Sequence, residues 1–337
     1  MLRRLLATTL FVSIGTIALH AGELTVYTAL EADQLKEYKA AFETANPGTT
    51  INWVRDSTGV VTAKLLAEKS APVADVVMGL AATSLMLLDK EGMLQGYTPK
   101  GVDGISASYR DPANPPKWIG MDVWSSALCF NTVEAGNKKL PVPTSWEDLT
   151  KPEYKGQIAM PNPASSGTGY LMVSAWLQLF GEEKGWAYMD RLHENIAAYT
   201  HSGSKPCKQA AAGEYSIGLS FEYRANQSKK AGAPIEIVLP SEGLGWDMEA
   251  SGIITNTPHL GDAKKLIDWS VTKEANELYA KSYAIVAMPG IAKPLDQINA
   301  NIEGLLIKND FTWAAANRDR ILAEWSKRYD GKSEPKS

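Results

Sequence analysis

The sequence predicts an α/β fold in two lobes joined by a hinge, with a ligand cleft between the lobes. Three features predict it. Strands and helices alternate between residues 24 and 90. A second α/β series occupies residues 157–240, after an irregular stretch rich in Pro and Gly. Crossovers near residues 120–124 and 246–252 link the two series. Alternating β and α units imply parallel strands flanked by helices. A hinged pair of such units encloses a small molecule between its halves.

The elements follow in order. Residues 24–28 are a short apolar strand. Residues 31–46 carry Leu35, Tyr38 and Phe42 at helical spacing, and Asn46-Pro47-Gly48 ends that helix. Residues 50–54 alternate as a strand, Ser57-Thr58-Gly59 opens a helix to residue 69, residues 74–78 are a buried-strand run, and residues 82–90 are helical. The strand-to-helix loops 28–31, 56–59 and 79–82 fall at the carboxyl edge of the sheet, where such sheets bind ligands. Beyond the irregular region, residues 118–131 read as extended, and Thr144-Ser145-Trp146-Glu147 has a capping-box pattern. Then come a strand at 157–160, helices at 169–180, 185–194 and 206–212, and strands at 216–220 and 235–240. Helices at 262–269, 273–283 and 310–328 complete the series. The polar run 329–337 reads as a disordered tail. The expected division is residues 22–122 with 248–300 for one lobe, 123–247 with 301–330 for the other, and 331–337 for a polar tail.

The most informative run is Met160-Pro-Asn-Pro-Ala-Ser-Ser-Gly-Thr-Gly-Tyr170. Its prolines break a strand and its end opens an apolar helix. Ser165, Ser166, Gly167 and Thr168 therefore sit where the first helical N–H groups lack partners and the dipole is positive, so the turn can hold an anion. The plainer alternative is an N-cap with a flexible turn.

The N-terminus pairs Arg3 and Arg4 with an apolar stretch, residues 5–19, and a small-residue cleavage point at Ala21-Gly22. Residues 1–21 read as a secretory signal peptide, and the mature chain is expected in the periplasm. Losing Arg3 and Arg4 takes the formal charge from −4 to −6. A mildly acidic chain without a basic stretch is a poor nucleic-acid binder. Cys129 and Cys207 can pair as a disulfide after export or remain two buried thiols, and neither has metal-ligand spacing.

Several stretches carry a family resemblance: Leu24-Thr-Val-Tyr-Thr28, Pro143-Thr-Ser-Trp-Glu-Asp-Leu149 and Lys151-Pro-Glu-Tyr-Lys-Gly156. The chain resembles type 2 periplasmic solute-binding proteins, in the group that includes iron(III) and polyamine binders. A closer similarity is to the 2-aminoethylphosphonate-binding components of ABC importers. Tyr27-Thr-Ala-Leu-Glu31, Arg55-Asp-Ser-Thr-Gly59, Gly120-Met-Asp-Val-Trp124, Tyr199-Thr-His-Ser-Gly-Ser-Lys-Pro-Cys207, Phe221-Glu-Tyr-Arg224 and Gly243-Leu-Gly-Trp-Asp247 carry it, together with the 160–170 run. The resemblance implies a monomeric binding protein that delivers 2-aminoethylphosphonate to an ABC permease of the inner membrane, without a cofactor or metal.

That ligand is a zwitterion, which needs convergent donors at one end and carboxylates, with an aromatic face, at the other. Ser165, Ser166, Gly167 and Thr168, helped by Thr58 and Ser204, are expected to hold the phosphonate. Glu31, Asp122, Glu222 and Asp247 are the carboxylate candidates, with Trp124 and Tyr223 as cleft walls. A solvated surface acid is the plain alternative for each. Other ligands remain open: another small anion, a polyamine or ferric ion. Iron-binding relatives use adjacent tyrosines where this chain has Glu222-Tyr223, which argues against iron. Polyamines have no use for the donor cluster. A periplasmic serine hydrolase is the competing class, since Ser202-Gly-Ser-Lys205 fits S-x-x-K, but its partner motifs S-D-N and K-T-G are missing. No H-E-x-x-H occurs.

Overall fold

The structure is a computed structural model that describes residues 22–298 and 301–335. The expected signal peptide, residues 1–21, lies outside the described residues. The first half begins with β1 (Gly22–Thr28), α1 (Ala32–Ala45), β2 (Thr49–Arg55), α2 (Thr58–Ala67), β3 (Val76–Ala81) and α3 (Ala82–Lys90). β1 pairs in parallel with both β2 and β3. Tyr38 and Phe42 lie on the inner face of α1, where their rings meet Tyr279 and Trp269 edge-on. The helical spacing read from the sequence thus corresponds to a buried stripe.

After the two-residue β4 (Leu94–Gln95) the chain enters β5 (Ile119–Asn131), every residue of which is buried. The second half adds α4 (Thr132–Lys138), β6 (Ile158–Pro161), α5 (Gly167–Phe180), α6 (Glu182–Asn195), β7 (Ile196–Thr200), α7 (Lys205–Ala211), β8 (Ile217–Phe221), α8 (Glu222–Lys230) and β9 (Ile235–Val238). The chain then returns through β10 (Trp246–Ile254), α9 (Leu260–Ser270), α10 (Lys273–Tyr279) and β11 (Ile285–Val286), and ends in α11 (Phe311–Tyr329).

β5 joins the halves. Residues 119–125 pair antiparallel with β10, whose other edge pairs with β3. Residues 126–130 pair antiparallel with β8, which runs parallel to β6. One strand thus serves two sheets, and the switch falls at Ser125–Ser126. α11 also straddles the halves. Phe311 packs beside the first half, while Ala314, Ile321, Trp325 and Tyr329 belong to the core of the second.

Two local expectations are corrected. Residues 196–200 form β7, a strand the sequence reading did not contain: Ile196, Tyr199 and Thr200 favour a strand, but the segment is short and directly follows α6, and it is fixed by parallel pairing with β6. Residues 329–335 are not a disordered tail over their described length. Asp330–Lys332 form a 3₁₀ turn, and the Glu334 N–H donates to Tyr199 O (2.9 Å). The Glu334 carboxylate accepts from His201 N–H (2.9 Å) and pairs with Lys205.

Cys129 on β5 and Cys207 on α7 are joined by a disulfide across a separation of 78 residues. Closing so long a loop restricts the unfolded chain, which corresponds to about 4 kcal/mol. Changing both residues to Ala is expected to lower the unfolding free energy by that order, seen as a lower urea midpoint. An unchanged midpoint would contradict the disulfide's stabilising role.

Candidate functional site

Three chain segments meet between the halves. The first is the start of α2, after Arg55-Asp56-Ser57. The second is the start of α5. The third is the loop Ser202-Gly203-Ser204. They are close enough that only glycine fits at two contacts. A Cβ on Gly167 would lie 2.5 Å from Thr58 Oγ1, and one on Gly203 would lie 2.5 Å from Thr168 Oγ1. A direct backbone bond bridges the halves, from Gly59 N–H to Ser165 O (2.9 Å). The halves are therefore closed on one another.

The cleft they enclose is narrow, with about 40 Å³ of free volume. One set of lining residues is Thr58, Ser166, Gly167, Thr168, Ser202 and Gly203. Among the described residues, the first-turn N–H groups of Gly167 and Thr168 meet no acceptor, while the Ser166 hydroxyl caps Gly169 N–H. Helix N-termini and hydroxyls arranged in this way can hold an anion. Arg55 also lines the cleft, its guanidinium tied to Leu30 O (3.0 Å) and set 3.5 Å from Glu31.

A second set is acidic and aromatic: Glu31, Glu249, Trp124, Phe221 and Tyr283. Glu31 caps α1 through a capping box with Gln34 and is paired with Arg224 at 2.6 Å, so its charge is largely neutralised. Glu249 differs. The Tyr283 hydroxyl donates to Oε1 (3.2 Å), but the buried Oε2 has no donor.

Several expected site residues do not line the cleft. Ser165 sits just outside it, its hydroxyl on His201 Nδ1 (2.9 Å) and its carbonyl on Gly59. Ser204 is buried beside Ser202. Glu222 is turned inward at the start of α8, where it accepts from Ser125 N–H (2.6 Å). Asp247 is buried against the start of α3, accepting from the Thr83 hydroxyl (2.6 Å) and from Met248 N–H (2.7 Å). Tyr223 stacks against Tyr283 instead of facing the cleft. Asp122 is fully buried behind Glu249, its partner in the β5–β10 register. Thr58, Ser166, Gly167, Thr168, Glu31 and Trp124 do line the cleft.

The sequence reading missed Arg55, Phe221, Glu249 and Tyr283, and the Ser202–Ser204 segment it drew on reaches the cleft through Ser202 and Gly203 instead of Ser204. The signal for Glu249 was present: Asp247 and Glu249 are two apart on a strand, so both project to one face.

Burial dominates the electrostatics. Desolvation pushes Glu222 up to about 8 and Asp247 up to about 7, even though each accepts backbone hydrogen bonds. Desolvation and mutual repulsion also raise Asp122 and Glu249. These four groups hold protons in the folded state at pH values where the unfolded chain has lost them. Stability should therefore fall as pH rises from about 5 to about 8. His193, lowered by burial, opposes this with a single proton. Asp148, held well below the usual carboxylate range by its hydrogen bond from Lys151, has completed its contribution below that window. Differential scanning of the ligand-free protein is expected to give a higher Tm at pH 5.5 than at pH 8. The reverse order would overturn this reading of the buried acids.

The family model described as bacterial extracellular solute-binding protein matches residues 71–314. An uncharacterized protein of Haemophilus influenzae is 33% identical over 230 residues, 67% of this chain and 66% of that protein, so the chain spans about two thirds of its length. The spermidine/putrescine-binding periplasmic protein of Escherichia coli is 26% identical over 57% of each chain. A Salmonella paratyphi A protein named "Putative 2-aminoethylphosphonate-binding periplasmic protein" is 24% identical over 71% of this chain and 70% of its own. Among solved structures, the periplasmic binding protein AfuA of Actinobacillus pleuropneumoniae, with exogenous fructose-6-phosphate bound, aligns with a TM-score of 0.85. It is 28% identical, over 92% of this chain and 99% of that one.

Proposed function

Because the chain belongs to the bacterial extracellular solute-binding proteins, which act with ABC transporters in the periplasm, we propose that it captures 2-aminoethylphosphonate and delivers it to an ABC permease. Its two-lobed type 2 periplasmic binding protein fold and its structural neighbours are those of binding proteins, not enzymes. The observation that carries the ligand is the polarity of the cleft. Its lining combines unpartnered N–H groups and hydroxyls with an acid, Glu249, that has an unpartnered oxygen. A short zwitterion matches both at once.

In this reading Ser166, Gly167, Thr168 and Thr58 hold the phosphonate, with Arg55 adding charge. Glu249 replaces Asp122, Glu222 and Asp247 as the carboxylate that meets the ammonium, against Trp124 and Tyr283. The lobes are residues 22–122 with 248–300 and 123–247 with 301–330, and the protein acts as a monomer. Residues 1–21 direct export and are removed. Ligand bridging the lobes favours the closed state, because only that state satisfies both charges.

A polyamine carries no anion for these N–H groups and hydroxyls, and a second cation would face Arg55. A ferric site is disfavoured because Tyr223 is packed between Tyr283 and Arg224. A sugar phosphate is the second reading, favoured by the fructose-6-phosphate bound to the 28% identical neighbour.

The test is calorimetric titration of the mature protein with 2-aminoethylphosphonate, ethylphosphonate, inorganic phosphate, fructose-6-phosphate, spermidine and ferric citrate. Tight binding of the aminophosphonate, with large losses for ethylphosphonate and phosphate, supports the zwitterion. Preference for fructose-6-phosphate, spermidine or iron would keep the fold and overturn the ligand.

A further inference from the structure

Asp122 and Glu249 face each other across neighbouring antiparallel strands. Directly opposed residues point to the same side of a sheet, with side chains about 5 Å apart at their bases. The two carboxyls are within reach of a shared proton. Both Asp122 oxygens and Glu249 Oε2 are buried, and taken as ionised acids they have no donor among the described residues.

The surroundings supply no substitute. The Tyr283 hydroxyl is directed to Glu249 Oε1. The Tyr279 hydroxyl donates to Ser270 O (3.2 Å). The Tyr38 hydroxyl, from α1, lies 3.5 Å from Gln34 Nε2. Glu222, from α8, accepts from Ser125. Glu31 and Arg224 neutralise each other. Val286 of β11 flanks Asp122 on its other side. Two facing carboxylates without a cation or donor repel strongly in so dry a place, whereas one proton between them satisfies both.

We propose that Asp122 is a positioning residue that keeps its proton and donates it to Glu249 Oε2, holding an ionised Glu249 carboxylate toward a ligand's primary ammonium. The proposal rests on the zwitterion reading above. With the cleft empty, burial favours a protonated Glu249 as well. Ammonium binding then requires Glu249 to release its proton to solvent: the Glu249 O–H bond breaks, the carboxylate keeps the electron pair, and an ion pair forms in its place. Asp122 contributes no charge of its own. This arrangement distinguishes a cation from a neutral group of the same shape, because only a cation compensates the ionised Glu249.

The consequence is a linked proton. Affinity for 2-aminoethylphosphonate should rise with pH up to about 8, where Glu249 of the empty cleft ionises, and then level off, by up to about tenfold per pH unit for one proton. The experiment is titration of the mature protein with 2-aminoethylphosphonate and with ethylphosphonate at several pH values, each in two buffers of different ionisation enthalpy. Near pH 6.5 wild type is expected to release up to one proton more with 2-aminoethylphosphonate than with ethylphosphonate, whose phosphonate titrates in the same range but brings no ammonium to Glu249. Asp122→Asn, whose amide still donates, is expected to keep both the profile and an affinity within about threefold. Asp122→Ala removes the donor, so the rise in affinity should begin at higher pH and affinity at pH 7 should drop about tenfold, the scale of one hydrogen bond to a charged group. A structural role alone would not move the profile. Binding without that extra proton release, or an Asp122→Asn loss as large as that of Asp122→Ala, overturns the proposal and leaves the ligand reading intact. Should Asp122→Ala fail to fold, the wild-type proton count and Asp122→Asn still decide. Absence of any 2-aminoethylphosphonate binding between pH 5.5 and about 8.5 would instead remove the ligand reading, and this proposal with it.

Discussion

Glu249→Gln is expected to weaken 2-aminoethylphosphonate binding by about 2–5 kcal/mol, roughly 30- to 5,000-fold, the range seen when one member of a buried charge pair is truncated. Glutamine keeps the shape and still accepts from Tyr283, so the variant isolates the charge. Ethylphosphonate lacks the ammonium and should bind Glu249→Gln as well as it binds wild type. Ligand-free stability should hold or rise, because a buried acid without a full set of partners is removed. Titrating both ligands into both proteins measures this directly. Equal losses for the two ligands would mean that Glu249 shapes the cleft without reading the ammonium.

Gly59→Ala should impair binding by a different route. Gly59 lies in the first turn of α2, where alanine is a better helix former by ~1 kcal/mol. In the closed structure, however, a Cβ there would lie 2.2 Å from Ala164 O and 2.8 Å from the Ser165 backbone. These are main-chain atoms of the opposite half, so no side chain can swing away. Closure must stop short or strain, at about 1–3 kcal/mol, roughly 5- to 150-fold in affinity. The unliganded protein should melt no lower than wild type. Small-angle scattering should show less compaction on ligand addition. Normal affinity together with normal compaction would mean that the Gly59–Ser165 contact is not part of the liganded state.

Much of the architecture was legible because its determinants are local. Leu35, Tyr38 and Phe42 mark α1 by spacing, and Asn46-Pro47-Gly48 marks its end. The run from Met160 to Tyr170 marks the start of α5, where the proposed phosphonate site lies. The acids were less legible, because an acid's role depends on what lies across from it. Glu222 and Asp247 occupy predicted loop and strand ends, yet each is taken up by a helix N-terminus or a nearby backbone N–H. Glu249 is distinguished only by the pairing of β10 with β5 and β3, which brings together residues more than a hundred positions apart. The docking of Glu334 on His201 and Lys205 was hidden for the same reason. Polarity in sequence marks a segment as solvated, and only tertiary contact reveals that its charge has a partner.

The most direct measurement is a crystal structure of the mature protein with 2-aminoethylphosphonate. The expected result places the phosphonate oxygens within hydrogen-bond distance of the Gly167 and Thr168 N–H groups and the Thr58 and Thr168 hydroxyls, with the ammonium on Glu249. A ligand bound in reverse, or bound outside this cleft, would contradict the claim that the cleft reads both charges of a zwitterion.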